Sequence, residues 1–500
     1  MLLFNTLEVS LPLLTTFLVL LSCWLFVHLA KLIRRYNQLP PGPWGLPIFG
    51  YFPFLKQNRN LQFDQLSKKY GPVFSMRLGS KDVVVINDWH HMKEAFANNS
   101  LLARPNQLLL LPGIVQVRSI VEMSGYPWRE HRRLSLRVLR DVGLGKSRVE
   151  KLIMEEIEQF CGELEKGPFD DFITKLLPSV SNNIANLLLG HCFKYNDPIK
   201  ISLDNSVNQI SKAFQFIGMQ VFLPWLIKPL IALKKTNLNI LKEYIAIMDN
   251  YVQSELEMHK ANFEQGKIDD YIDGYLNELS KRSGESDIFN SDILKRNVID
   301  FFRAGTGTVL ATLSWAILYL VKYPDYQDKI RSEIHEVIGV NNKPDYSYRT
   351  RMPVTMSFIA EVSRLGSVVG SSVIRRASQD TKIGKYTIPE DTIVIFNFWS
   401  IHRDPRLWTN PDEFNPSRFL TQDGKVEKPS YLIPFSGGKR ICPGEGFANV
   451  ELFLYIVCMV QRYKIKTTSE EEISLEGDFS TVRRPSNMPR LMFEKIKINQ

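Results

Sequence analysis

From Ser291 to about Tyr323 the chain keeps helical periodicity for roughly nine turns before Pro324 stops it. Toward its end this segment, TVLATLSWAILYLVKY, is apolar on most faces. A helix so much longer than the usual ~10–14 residues, and apolar around most of its circumference, has to lie through a protein's interior. The remaining chain must then be built around it. The flanking sequence agrees: between Trp128 and roughly residue 335 helical periodicity dominates, as in VEKLIMEEIEQFCGELE, and no internal repeat is evident.

Strand signals are short and lie at the two ends of this helical stretch. Phe74 to Ile86 reads as two strands turned at Gly79-Ser80, and after Ser363 the texture changes to pieces rich in Gly, Pro and β-prone residues such as KIGKYTIPEDTIVIFNFWS. The expected fold class is therefore mainly α with small β-sheets, in one large domain. A chain of 500 residues with 44% hydrophobic content can bury such a core. Its formal charge of +9 suits acidic protein partners or anionic membrane surfaces, and no nucleic-acid motif accompanies it. Five cysteines, odd in number and without CxxC pairing, suggest neither a disulfide framework nor a zinc cluster, and fit a reducing compartment.

Val9 to Ala30 is a run of 22 residues without Asp, Glu, Lys or Arg. As a helix it extends roughly 33 Å, enough for one bilayer crossing, and it is longer than the apolar part of a cleaved signal peptide. Lys31, Arg34 and Arg35 follow it directly, so the positive-inside rule places the long C-terminal part in the cytosol. Residues 1–35 are expected to form an anchor and basic stop. Residues 36–50, containing Pro40-Pro41-Gly42-Pro43, are expected to form a stiff elbow, and 51–500 the catalytic domain.

The sharpest chemical signal is Phe435-Ser436-Gly437-Gly438-Lys439-Arg440-Ile441-Cys442-Pro443-Gly444. A thiolate that ligates iron needs close backbone N–H donors to moderate its charge, so flanking glycines and an aromatic shield suit that task. Arg440, two residues earlier, suits a carboxylate of the metal's macrocycle. Taken alone, Cys442 is as readily a small buried hydrophobe. The spacing of Phe435, Gly438, Arg440, Cys442 and Gly444, however, resembles the cysteine-ligand loop of the cytochrome P450 family, whose microsomal members also carry a Pro-rich elbow after an anchor.

The resemblance extends over nearly the whole chain after residue 36. Glu361-Val362-Ser363-Arg364 is similar to the family's ExxR helix, where a spacing of three puts both charges on one face. Arg418 is similar to the third member of that ion-pair scaffold. Trp128 and Arg132 resemble the WxxxR pair that bonds a haem propionate. On the same helix Arg129, Arg133, Arg137 and Arg140 occupy an offset arc that could meet an acidic reductase, or could simply be a solvated basic face. Arg375 would be a further propionate partner, although Ile374 stands where the family has Pro.

Ala304-Gly305-Thr306-Gly307-Thr308 resembles the family's oxygen-binding segment, with Ala304 and Gly305 opening a groove and the Thr308 hydroxyl beside it; otherwise the small residues form a packing notch between helices. Gly307 departs from the pattern, since the family usually has Asp or Glu there. Arg303 is also unusual, with Asp300 placed to pair with it.

The resemblance implies haem b with an axial cysteine thiolate and NADPH acting through a flavoprotein reductase, with cytochrome b5 as a further partner. The activity implied is insertion of one oxygen atom from O2 into an apolar steroid, lipid or xenobiotic at the endoplasmic reticulum membrane. Two other readings share these motifs. One is a haem-thiolate isomerase or dehydratase of hydroperoxides, which needs neither reductase nor acid; the other is a haem-containing binding protein without turnover. The pocket would draw on Leu108 to Val121, Phe214 to Leu233, Phe301 and Phe302, Val368 to Val373, and Ser480 to Val482.

Overall fold

The computed structural model describes residues 15–24, 26–27, 29–30, 33, 38–106, 117–143, 147–226, 229, 238–282, 287–468, 472–478 and 482–496. The basic stop residues Lys31, Arg34 and Arg35 and the N-terminal part of the apolar run lie outside the described residues, as do most of 107–116, 230–237 and 479–481 in the expected pocket. An N-terminal helix α1 spans Thr15–Trp24 and is exposed throughout, with Phe17 61% and Trp24 60% exposed.

The body begins with α2 (Arg59–Tyr70), a hairpin of β1 (Val73–Leu78) and β2 (Lys81–Ile86), and α3 (Trp89–Ala97). The helical stretch follows as α4 (Gly125–Val142), α5 (Ser147–Leu164), α6 (Phe172–Leu189), α7 (Pro198–Phe222), α8 (Leu238–Ala261), α9 (Tyr271–Lys281), α10 (Ser291–Lys322), α11 (Pro324–Val337) and α12 (Pro353–Gly366). Short strands β3 (Arg375–Arg376), β4 (Thr381–Ile383), β5 (Tyr386–Ile388) and β6 (Ile393–Phe396) precede α13 (Phe398–Ile401), α14 (Glu445–Arg462), β7 (Tyr463–Thr467) and β8 (Leu491–Lys495). The mainly α architecture with small sheets is as the periodicity predicts.

Helix α10 is the axis of this body. Asn290 caps it by accepting the Ile293 amide, and Asp292 lies in its first turn, where the helix dipole favours an acid. Its length and apolarity would suit a membrane span, but most of that stretch is buried inside the protein, against α6, α8, α12 and α14. Pro324 does end it, since its ring disfavours helical geometry at Tyr323, yet the same proline opens α11, where a missing N–H costs nothing.

The β1–β2 pair is antiparallel with Met76 opposite Val83, and β2 continues into a parallel pairing with β6, Val84 opposite Val394. The whole helical stretch is thus the crossover between two neighbouring strands. Gly79 turns the hairpin with φ of +54°. The Pro-rich elbow is docked along β1. Ser75 donates its hydroxyl to the Pro40 carbonyl at 2.6 Å and its amide to the Pro41 carbonyl at 3.0 Å. The folded body therefore includes residues that sequence pattern assigns to a linker.

Glu361 and Arg364 face each other from one side of α12 in a bidentate pair at 2.7 and 2.8 Å, both side chains 0% exposed. Arg418 adds a third contact to Glu361 at 3.1 Å. Removing one partner of a fully buried pair leaves an uncompensated charge, which costs about 3–5 kcal/mol, comparable to much of a domain's net stability. Glu361→Ala and Arg364→Ala are therefore expected to give little folded protein. Soluble yield and thermal unfolding check this; wild-type yield from both variants would refute it.

Candidate active site

Cys442 sits at the end of a loop that is pinned at both sides. Its amide donates to the Phe435 carbonyl at 3.0 Å, closing the loop on itself. The amides of Gly444 and Glu445, at the start of α14, donate to its sulfur, and a Cβ on Gly444 would lie 3.9 Å from that sulfur. Burial pushes the thiol's pKa up, helped by the Glu445 carboxylate, while the two amides and Arg132 pull it down. The side chain is nevertheless accessible. Accessibility together with a burial penalty places the sulfur on the wall of an internal recess, not on the outer surface.

Around this loop four guanidiniums converge. Arg440 donates to the carbonyls of Leu102 and Met123 at 2.8 and 2.6 Å and lies 3.9 Å over the Trp128 ring. Burial, then the charges of Arg104, Arg375 and Arg132, push Arg440 down to about 7. Burial, with Arg104 adding, pushes Arg375 down to about 9, and burial alone pushes Arg104 down to about 10. Arg132 donates to the Ile441 carbonyl at 2.7 Å, beside the sulfur. Among the described residues no carboxylate pairs with any of the four, and Nε and Nη1 of buried Arg375 have no hydrogen-bond partner. These are cations short of a counter-charge.

The structure brings Trp128, Arg132, Arg375 and Arg440 together here, and Arg376, next to Arg375, turns outward to Asp391 at 2.6 Å. The sequence misses Arg104, whose only local signal is a lone cation in Leu101-Leu102-Ala103-Arg104-Pro105. Arg104 reaches the carbonyls of Val373 and Ile374 at 2.7 and 2.8 Å and so holds the chain just before Arg375.

On α10, Ala304 and Thr308 keep an accessible face, and the Thr308 hydroxyl donates to the Ala304 carbonyl at 2.7 Å. Gly305 corrects the expected groove. A Cβ there would come within 2.8 Å of the Ile184 side chain, so Gly305 is a packing notch that lets α6 approach α10. Phe302 likewise turns into the main core, whereas Phe301 packs edge-on against Tyr271 and among Ile120, Met123 and Trp128. A Cβ on Gly307 would meet nothing within 4 Å. Asp300 is shared by Arg296 and Arg303, each at 3.5 Å, which bears out the expected Asp300–Arg303 pairing.

The basic arc of α4 is exposed at Arg129, Arg133, Arg137 and Arg140, while Trp128 is buried on the other side. Two of these charges are already compensated: Arg133 pairs with Glu130 at 2.6 Å and Arg137 with Glu278 at 2.8 Å.

Gly438 fixes the loop against α3. Its φ is +66°, and a Cβ would stand 2.4 Å from the Phe96 carbonyl oxygen. Gly424 has a similar φ of +75° but nothing within 4 Å. Gly424→Ala is expected to cost about 1 kcal/mol for its left-handed backbone alone. Gly438→Ala must add displacement of the loop from α3, so its midpoint of thermal unfolding should fall clearly further; equal losses in the two variants would refute the role of the Phe96 contact.

Comparison with known proteins gives the same direction as this geometry. The chain is 33% identical to cytochrome P450 2J2 of Homo sapiens over 460 residues, covering 89% of each chain. It is 33% identical to cytochrome P450 2H2 of Gallus gallus over 482 residues, covering 95% of this chain and 96% of that one. Cytochrome P450 18a1 of Drosophila melanogaster is 32% identical over 494 residues, covering 95% and 90%. The sequence profile described as Cytochrome P450 matches residues 40–490, the docked elbow and the Cys442 loop included, and the chain therefore belongs to the cytochrome P450 family of haem-thiolate monooxygenases.

Proposed function

We propose that this protein is a membrane-anchored monooxygenase in which Cys442 is the axial ligand of haem b and the substrate is a small apolar molecule, a steroid, lipid or xenobiotic. The observation that carries the reading is the set of four guanidiniums, Arg104, Arg132, Arg375 and Arg440, gathered without a carboxylate around a sulfur that accepts two amides. A soft ligand beside a surplus of buried cations fits a metal macrocycle that brings its own carboxylates.

Bound there, haem supplies reductive activation of O2, and a thiolate ligand favours O–O cleavage. The protein's share is preparation. The amides of Gly444 and Glu445 favour the charged sulfur against the burial that opposes it. Arg375 and Arg132 offer donors to carboxylates, while Arg440, committed to backbone carbonyls, acts there mainly by its charge and by its stack on Trp128. Thr308 offers a hydroxyl on the accessible face of α10. Partly buried Phe301 and Val121 pack with Ile120 into an apolar cluster at Trp128, which suits an apolar substrate nearby.

Electrons come in this reading from NADPH through a flavoprotein reductase, with cytochrome b5 as a second donor, both meeting the exposed arc of α4. The endoplasmic reticulum membrane holds the protein by one crossing, with the catalytic domain in the cytosol. Exposed α1 supports the anchor. So does an apolar surface at the elbow, where Trp44 is 67%, Ile48 71% and Trp225 50% exposed and Phe49 packs at a tilt against Trp225, ring centres 5.9 Å apart. Glu or Asp is absent at 307, which is also compatible with hydroperoxide isomerisation, but the family's chemistry is oxygenation.

Purified Cys442→Ser is expected to lose the reduced-CO absorption of a haem-thiolate, because a hydroxyl is a hard ligand and no other described cysteine adjoins the arginine cluster. Retention of the wild-type band would remove Cys442 as ligand. Reversal of Arg129 and Arg133 to Glu is expected to weaken reductase titrations several-fold at low salt and less at high salt, with substrate-induced spectral shifts unchanged. Identical titrations at both ionic strengths would mean that the arc meets no partner.

A further inference from the structure

Away from the Cys442 recess, the last turn of α8, the first turn of α9 and the C-cap of α6 enclose a second group of ligating side chains. His259 Nδ1 donates to the Glu255 carbonyl at 2.8 Å, and Nε2 faces the acids with a proton of its own that a bound cation displaces. Asp270 Oδ2 faces that Nε2 at 2.9 Å, and one ligand atom from each of His259, Asp270 and Asp273 lies within 4.8 Å of the others. Asp270 is buried, and its other oxygen is spent on capping α9 at the Asp273 amide, 2.9 Å away.

Charge makes the arrangement unbalanced. One imidazole stands against two carboxylates, and the next pair outward, His191 with Glu255 at 3.3 Å, is already closed on itself. Asp269 is drawn off toward Arg148 at 3.5 Å. The second carboxylate, Asp273, is thus left without a cation of its own, accepting only the Asp269 amide at 3.3 Å. Gly190 packs beside Asp270: a Cβ there would be 2.7 Å from Asp270 Oδ2, so glycine at the C-cap of α6 is what leaves the acid its place.

We propose that His259, Asp270 and Asp273 form a binding site for a divalent cation of the zinc class that ties α8 to α9. An oriented imidazole with a backbone carbonyl behind it and two carboxylates is a donor set for Zn2+, with one position left to water on the half-buried Asp273 side. Binding would draw the three atoms, now within 4.8 Å of one another, to the ~2.0–2.2 Å from the ion that Zn2+ requires. Mg2+, which demands an all-oxygen octahedron, is discriminated against.

The test is calorimetric titration of chelator-treated, tag-free, full-length holoprotein with ZnCl2, repeated with MgCl2. One Zn2+ per chain with micromolar or tighter affinity, at least a hundredfold tighter than Mg2+, is the expected result. Asp273→Asn removes a ligand yet leaves the His259–Asp270 contact intact, and it should weaken Zn2+ at least tenfold with haem content unchanged. His259→Gln should do the same. No saturable one-to-one uptake by the wild-type protein overturns the proposal. So does uptake that neither variant weakens, which would place the ion elsewhere; if the variants fail to fold, the wild-type stoichiometry and the Zn2+ absorption-edge signature of one nitrogen and carboxylate oxygens decide instead.

Discussion

The carboxylate of Glu361 is shared by two guanidiniums and a backbone amide, and the approach to Cys442 depends on it. Its oxygens accept from Arg364, from Arg418 and from the Asn415 amide at 2.9 Å. Arg364 spends its other donors on the carbonyls of His402, Pro411 and Glu413, and Arg418 on those of Thr409, Asn410 and Glu413. One buried acid therefore organises a loop of irregular backbone whose carbonyls have no strand or helix to satisfy them. Such a loop can be interior only because the guanidiniums do that work.

The order passes from there to the thiol through His402. Burial, then Arg403 and Arg364, push its pKa down to about 3, so the ring is neutral. Its Nε2 accepts the Ile433 amide at 3.1 Å, which assigns the proton to Nδ1, facing the Ser367 hydroxyl at 3.2 Å. Ile433 lies two residues before Phe435, whose carbonyl receives the Cys442 amide. A cationic His402 would lose that acceptor and meet two arginines. The ion-pair scaffold and the sulfur are thus linked by a short sequence of hydrogen bonds with one protonation state.

How much of this was legible in the sequence follows from how local each feature is. The Cys442 loop and the Glu361–Arg364 pair lie within ten and four residues, so spacing alone carries their geometry. The long helix α10 was legible for the same reason. Arg104 was not, because its place beside Arg375 and Arg440 is made by the return of the chain across hundreds of residues. Gly305 read as an opening, and only the position of Ile184 on α6 shows that it is a contact. Pro40 to Gly42 read as a linker because Pro forbids helix, while its carbonyls still served as strand partners for Ser75. In each case the local rule held, and tertiary packing decided what it was used for.

The same distinction bears on proton delivery. Seven residues separate Asp300 from Gly307, so the two share a face of α10, and Asp300 is the acid nearest to it on that face. Two guanidiniums, those of Arg296 and Arg303, engage Asp300 at 3.5 Å, so its carboxylate is committed to ion pairing. Thr308 is placed differently. Its proton points at the Ala304 carbonyl at 2.7 Å, which leaves the lone pairs of its hydroxyl oxygen uncommitted among the described residues. A hydroxyl in that state can accept a hydrogen bond from the accessible side. The open space beside Gly307, where a Cβ would meet nothing within 4 Å, is what the missing side chain leaves.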